Sequence, residues 1–186
     1  MSVANLIRAR RTIQQFSSEK VPESIVRQAL ELGLWAPNHK LTFPWRFHLI
    51  GTSTREKIAD LAVELKAKKS MEPVPEFTLN AIRNSILTPS HYVALSIIKT
   101  PDSDRLWEDY ATMACSVEIV SLFLWENDIG VKWTTSGYSR HLKTYQILEM
   151  DSNQEQLVGG LLIGKAAKIP TSGGRPNLDQ FLRLHN

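Results

Sequence analysis

Apolar positions along this chain recur with two different periods, and the two kinds of block alternate. Ser2 is a favoured helix N-cap, and residues 2–11 predict a short helix in which Leu6 and Ile7 face a core while Arg10 and Arg11 reach outward. Residues 22–35 predict a second helix: Pro22 suits a first turn, Ile25, Ala29 and Leu32 recur at helical spacing, and Pro37 ends it. Residues 46–51 predict a strand, and residues 53–69 a charged amphipathic helix opened by Ser53. Pro73, Pro75 and Pro89 bracket residues 73–89, which suit a short helix or a mobile flap. Residues 91–98 are almost continuously apolar, as a strand buried on both faces must be.

Residues 104–128 predict a long helix. From Tyr110 to Trp125 its only charge is Glu118, and small residues mix with bulky ones. A helix apolar nearly all round needs cover on every side, so a second subunit is expected to bury part of it; the alternative is a central core helix in a monomer. Residues 130–135 predict a strand ending near a turn at Gly137, and 139–149 a helix. Residues 156–163 predict a central strand in which Gly159 and Gly160 imply close approach by another backbone or a ligand. Strands separated by helices predict one α/β domain over 1–186, a three-layer sandwich with a mixed sheet between helices.

Composition adds boundaries. The 186 residues suffice for one cored domain, and a net charge of +3 is too modest to demand nucleic acid. Cys115, the only cysteine, excludes an internal disulfide and a cysteine-rich zinc site, and is expected to fill the core. The start has no long apolar signal region and no stretch reaches membrane-span length, so a soluble cytoplasmic protein without membrane partners is expected. Dinucleotide-fingerprint, P-loop and nucleophile-elbow motifs are absent, and His39, His48, His91, His141 and His185 form no H-x-x-x-H pair, so no metal site is expected. Pro101-Asp102-Ser103-Asp104 reads as a helix-capping turn. A chain without a nucleophile or acid–base pair takes its chemistry from a cofactor.

Four segments carry candidate chemistry. Arg8, Arg10 and Arg11 precede the first acid, Glu19, and a second basic stretch, Gly164 to Pro176, includes Lys165, Lys168 and Arg175. Charge alone suits a solvated face, but two such patches also suit a compact dianion such as phosphate, which arginine grips bidentately. The loop Ala36 to Phe47 presents His39, while Pro44 and Trp45 pack the start of the strand. Trp133-Thr134-Thr135-Ser136-Gly137 suits either an ordinary turn or backbone amides facing a flat heterocycle.

The ordered set Arg10-Arg11-Thr12, Ala36-Pro37-Asn38-His39-Lys40, Pro44-Trp45-Arg46-Phe47, Gly130 through Gly137 and Gly173-Gly174-Arg175-Pro176 resembles the FMN-dependent nitroreductase family, in its short, single-domain bacterial branch. The resemblance spans the chain. It implies a homodimeric flavoprotein with FMN at the subunit interface, in which NAD(P)H passes hydride to flavin N5 and a nitroaromatic or quinone acceptor then takes its place in the same pocket. It further implies that Arg10, Arg11 and Thr12 contact the FMN phosphate, ribityl chain and pyrimidine edge. His39 would reach FMN from its loop, from either subunit; Trp133, Thr134 and Thr135 would line the flavin; Arg175 would complete the phosphate site. Arg10 beside N1 and O2 would stabilise the reduced form, and no side chain is assigned as catalytic. The chain departs from close relatives at Trp35, where they carry Arg, and in Thr134-Thr135-Ser136, one residue longer than in some. The rival readings are a flavin-binding protein without turnover and a basic nucleic-acid-binding domain.

Overall fold

The computed structural model describes residues 2–185. Its strands are β1 (Gln15–Phe16), β2 (Trp45–Leu49), β3 (His91–Ile98), β4 (Gly130–Thr134), β5 (Glu155–Gly164) and β6 (Ala166–Lys168). Its helices are α1 (Val3–Ala9), α2 (Glu23–Gly33), α3 (Thr52–Lys69), α4 (Glu76–Leu87), α5 (Ser103–Glu126) and α6 (Leu142–Ile147). The main sheet has the order β2-β3-β5-β4, and β1 pairs with β6 in a separate ribbon.

The apolar runs of β3 and β5 place them in the middle, where both faces are covered. Tyr92 through Ile97 are all buried. One face packs Val93, Leu95 and Leu161 against Val26 and Ala29 of α2 and Met113, Val117 and Val120 of α5. The other packs Tyr92, Ala94 and Leu162 against Ile58 of α3, and Ala59 and Ala62 of α3 then cover Ile86 of α4. Helices lie on both sides, as the block pattern predicts.

Every ladder in the main sheet is antiparallel. The mixed character expected of it comes down to one parallel bridge between Thr12 and Val131. The bounded segment between the prolines resolves as α4, whose Ile86 is wholly buried, so a helix wins over a flap because it has a core face. The helix expected over 139–149 divides into a 3-10 turn, Gly137–Arg140, and α6. His141 separates them and accepts the Lys143 amide at Nδ1, 3.1 Å. The helix expected from Ser53 starts at Thr52, with Gly51 in the cap position. Asp102 caps α5 as expected, accepting the amides of Asp104 at 3.0 Å and Arg105 at 3.1 Å.

Helix α5 is not covered all round by its own chain, unlike the alternative of a central core helix in a monomer: Trp107, Ala111, Cys115 and Glu118 form an exposed stripe at helical spacing. One expectation for this helix is corrected. Cys115 lies on that stripe and not in the core. Its spacing from Trp107 and Ala111 turns it away from the buried Met113, Ser116 and Val120.

Candidate active site

The bridge between Thr12 and Val131 organises the candidate site. Ile13 donates its amide to the Val131 carbonyl at 3.1 Å, which lays Thr12 on the free edge of β4 with Arg10 and Arg11 just before it in the chain. The same strand ends in Trp133 and Thr134. At about 3.3 Å per residue, Thr12 and Thr135 stand about 13 Å apart along one edge. Arg10 and Arg11 are half-buried and Thr12 is exposed. Arg10 Nε donates to Glu118 of α5 at 3.1 Å. Arg11 Nη1 donates to the carbonyls of Arg8, 2.6 Å, and Arg10, 2.7 Å, which curls the chain as it leaves α1.

At the far end of the strand the polar groups form a knot. Thr134 is buried; its Oγ1 lies 2.8 Å from Ser136 Oγ and accepts the Ser136 amide at 3.3 Å. Tyr138 hydrogen-bonds Thr134, and burial of its phenol raises its pKa more than that bond lowers it. Thr135 and Ser136 are exposed. Of the three small polar residues after Trp133, Thr134 and Ser136 therefore spend their hydroxyls on each other.

Gly159 explains the close packing here. A register shift in the β3–β5 ladder leaves Val158 unopposed, and Gly159 adopts φ 142. A Cβ there would stand 2.6 Å from the Thr134 carbonyl and 2.8 Å from Trp133 Nε1. The close approach expected at this glycine is made by the protein's own strand end. At Gly160 the neighbour is the ring of Tyr92. The Trp133 Nε1 donor is buried without a partner.

His39 lies elsewhere. Its loop packs on the first turns of α5, with Nε2 at 3.9 Å from Glu108. The loop is backbone-strained: Lys40, Leu41 and Phe43 all have φ between 48 and 56. Each such non-glycine residue costs on the order of 1–3 kcal/mol and persists where its surroundings over-determine it. Those surroundings are polar. Thr42 donates to the buried carboxylate of Asp109 at 2.5 Å and accepts from Asn38 Nδ2 at 2.8 Å, while Asn38 Oδ1 accepts the Phe43 amide at 2.8 Å.

Of the expected residues, then, Arg10, Arg11, Thr12, Trp133, Thr134 and Thr135 share one strand edge. His39 stands at the other end of α5 from Arg10, and Arg175 is on an exposed tail where Nη1 reaches only the Gly173 carbonyl, 3.5 Å. The second basic stretch does approach the first at its start, because Gln15 pairs with Lys168 and Ser17 donates to the Lys165 carbonyl at 2.9 Å.

Sequence reasoning missed Asp109, which no motif links to Thr42, and Arg140. Arg140 donates from Nη2 to the Thr135 carbonyl at 3.3 Å. It also borders a cleft of about 410 Å³ with Ile97, Leu106, Trp107, Tyr110 and Gln156. The first cation after Trp133-Thr134-Thr135 was the available signal.

The chain is similar to several known proteins. It is 26% identical over 151 residues to "Putative NAD(P)H nitroreductase YfhC" of Bacillus subtilis, covering 81% of this chain and 77% of that one. A nitroreductase-like family protein from Bacillus cereus superposes with a TM-score of 0.86 at 23% identity, over 100% of this chain and 96% of that one. The FMN-dependent nitroreductase NfnB from Mycobacterium smegmatis, solved in complex with NADPH, superposes with a TM-score of 0.75 at 17% identity, over 98% and 97%. The nitroreductase family pattern matches residues 7–165, and the chain belongs to the nitroreductase family.

Proposed function

We propose that the protein is an FMN-dependent oxidoreductase that uses NAD(P)H to reduce nitroaromatic, quinone or related acceptors, and that it works as a homodimer. The observation that carries this reading is the Thr12–Val131 bridge, which puts two arginines and a hydroxyl at one end of a strand edge whose other end is Trp133-Thr134-Thr135. The donor set fits FMN: cationic forks suit a phosphate dianion, and an aromatic residue followed by an exposed strand end suits a flat ring. Bound FMN supplies hydride acceptance and donation.

The protein's own residues bind and orient. Arg11 keeps Nε and Nη2 for a phosphate, Arg10 lends positive charge partly offset by Glu118, and Thr12 adds an exposed hydroxyl. The Thr134–Ser136–Tyr138 knot holds the backbone of Thr135 at the ring end. His39 and Arg175 complete the site from segments that the protomer leaves exposed. With a nitro acceptor, one NAD(P)H and one proton give a nitroso product, NAD(P)⁺ and water.

A second copy is needed to enclose this site. Its residues lie on an open edge, the Trp107-Ala111-Cys115 stripe is uncovered, and the tail exposes Ile169, Leu178, Phe181, Leu182 and Leu184. Apolar area of this kind favours association at roughly 25 cal/mol per Å² buried. The test is a visible spectrum of the purified protein followed by anaerobic NADPH. Yellow protein that bleaches near the flavin band, and dimer mass in solution, are the expected results; colourless protein indifferent to added FMN sinks the reading. Arg175→Ala is expected to weaken FMN binding about tenfold with no change in unfolding temperature, and retention at parental strength removes Arg175 from the phosphate site.

A further inference from the structure

We propose that the cleft beside Thr135 is an acceptor subsite selective for planar aromatic molecules bearing a negative charge, and that Arg140 is its specificity-determining residue. The inference rests on the flavin-reductase reading for the placement of the reacting ring and deepens it by naming the substrate class.

The cleft's walls decide the shape. Trp107 and Tyr110 stand one turn apart on α5 and offer aromatic surfaces, while Ile97 and Leu106 make the remainder apolar. A volume of about 410 Å³ suits a one- or two-ring molecule. Trp107 is 74% exposed, an unusual place for an indole unless something planar or a second copy lies against it. Gln156 also lines the cleft.

Arg140 decides the charge. Its Nη2 donates to the Thr135 carbonyl at 3.3 Å, and its side chain lines the cleft. Among the described residues no carboxylate pairs with it. The acids of the neighbouring turns point to other partners: Glu108 faces His39, Asp109 faces Thr42 and Arg105, and Glu155 faces His48 and Ser96. An arginine that lines an apolar cleft and has no carboxylate partner favours an anionic substituent at the edge of an aromatic ring. The contact with Thr135 also ties the cleft to the strand end assigned to the flavin ring.

The experiment compares 4-nitrobenzoate with 4-nitrobenzamide, which has the same shape and no charge, as acceptors for NADPH oxidation by the FMN-loaded dimer at low salt. The parent is expected to show kcat/KM about tenfold higher for the benzoate, carried by KM. Arg140→Gln is expected to erase that preference by raising the benzoate KM toward that of the benzamide, and Arg140→Lys to keep part of it. Equal kcat/KM for the two acceptors in the parent, or a preference unchanged in Arg140→Gln, overturns the inference while leaving the reductase reading intact. Benzoate binding is measured separately by titration calorimetry on parent and Arg140→Gln. Arg140-dependent benzoate binding without turnover of either nitro compound supports the subsite and removes the reductase reading; neither binding nor turnover removes both.

Discussion

The Thr42 hydroxyl donates to the buried carboxylate of Asp109, 67 positions along the chain, at 2.5 Å. Asp109 is 2% exposed, and Arg105 Nε lies 3.6 Å from its other oxygen. Because the carboxylate only accepts, the direction of every bond behind it is set. Thr42 must donate forward and accept from the Asn38 amide nitrogen, which turns the Asn38 oxygen toward the Phe43 amide. One buried charge thus holds three left-handed residues in a single loop.

Thr42→Val keeps the shape and removes the hydroxyl. Asp109 loses a donor and Asn38 an acceptor, so the variant is expected to lose about 1–3 kcal/mol of unfolding free energy, measured by urea denaturation. Thr42→Ser is expected to regain most of it. A Thr42→Val protein as stable as the parent argues that the loop holds its strained form without the network.

Gly159→Ala tests the strand end. The added Cβ would press on the Thr134 carbonyl and on Trp133 Nε1, in a conformation that favours glycine. The expected cost is about 1–3 kcal/mol, read as a lower melting temperature, together with a shift in Trp133 fluorescence and weaker FMN binding. Gly137→Ala, where a Cβ meets nothing within 4 Å, serves as the control and should change little.

Arg55 is an inward-facing cation with carbonyls for partners. Its guanidinium donates to Leu87, to Pro89 at 2.6 Å and to Ser90 at 3.2 Å, closing the C-terminal end of α4, and burial lowers its pKa below the usual arginine value. Cations are stabilised at helix C-termini, and orphaned buried carbonyls are costly. Arg55→Met is expected to cost about 2–4 kcal/mol by the same urea measurement, with hydrogen exchange accelerated first in residues 84–90. Uniform exchange along the chain would show that Arg55 does not act through α4.

Glu64 gives a pH dependence with a defined sign. Hydrogen bonds from Lys143 and then Lys68 lower its pKa from 4.5 to about 2. A carboxylate whose folded value is depressed adds stability above its unfolded value, and that increment fades as pH falls from about 4.5 through about 2. Lys143 Nζ lies 2.7 Å from Glu64 Oε1, joining α3 to the start of α6. The pair is exposed, so the effect is small and screened by salt. The difference in urea midpoint between parent and Glu64→Gln is expected to be largest near neutral pH, to vanish near pH 2 and to shrink in 0.5 M NaCl. A difference that grows on acidification reverses the assignment.

Periodicity made most elements readable. Tyr92 to Ile97 announce a central strand because no polar residue but Ser96 interrupts them, and Ser2 and Asp102 mark helix starts by local chemistry that needs no distant partner. The region around 73–89 was harder, because the buried side chain of α4, Ile86, finds its place only once α3 provides Ala59 and Ala62. Cys115 misled for the converse reason: composition marks it as apolar, and only the packing of α5 shows which side of the helix faces the sheet.

Within the candidate site, residue types and order pointed to Arg10, Arg11, Thr12 and the Trp133 segment, since cationic forks and small polar residues are chosen for local chemistry. Their meeting on one strand edge, the Asp109 lock on the His39 loop and the Arg140 cleft were settled only by the tertiary structure. Those relationships join residues far apart in sequence through antiparallel pairing and helix docking, and nothing in local spacing encodes which distant carbonyl, carboxylate or glycine a side chain will meet.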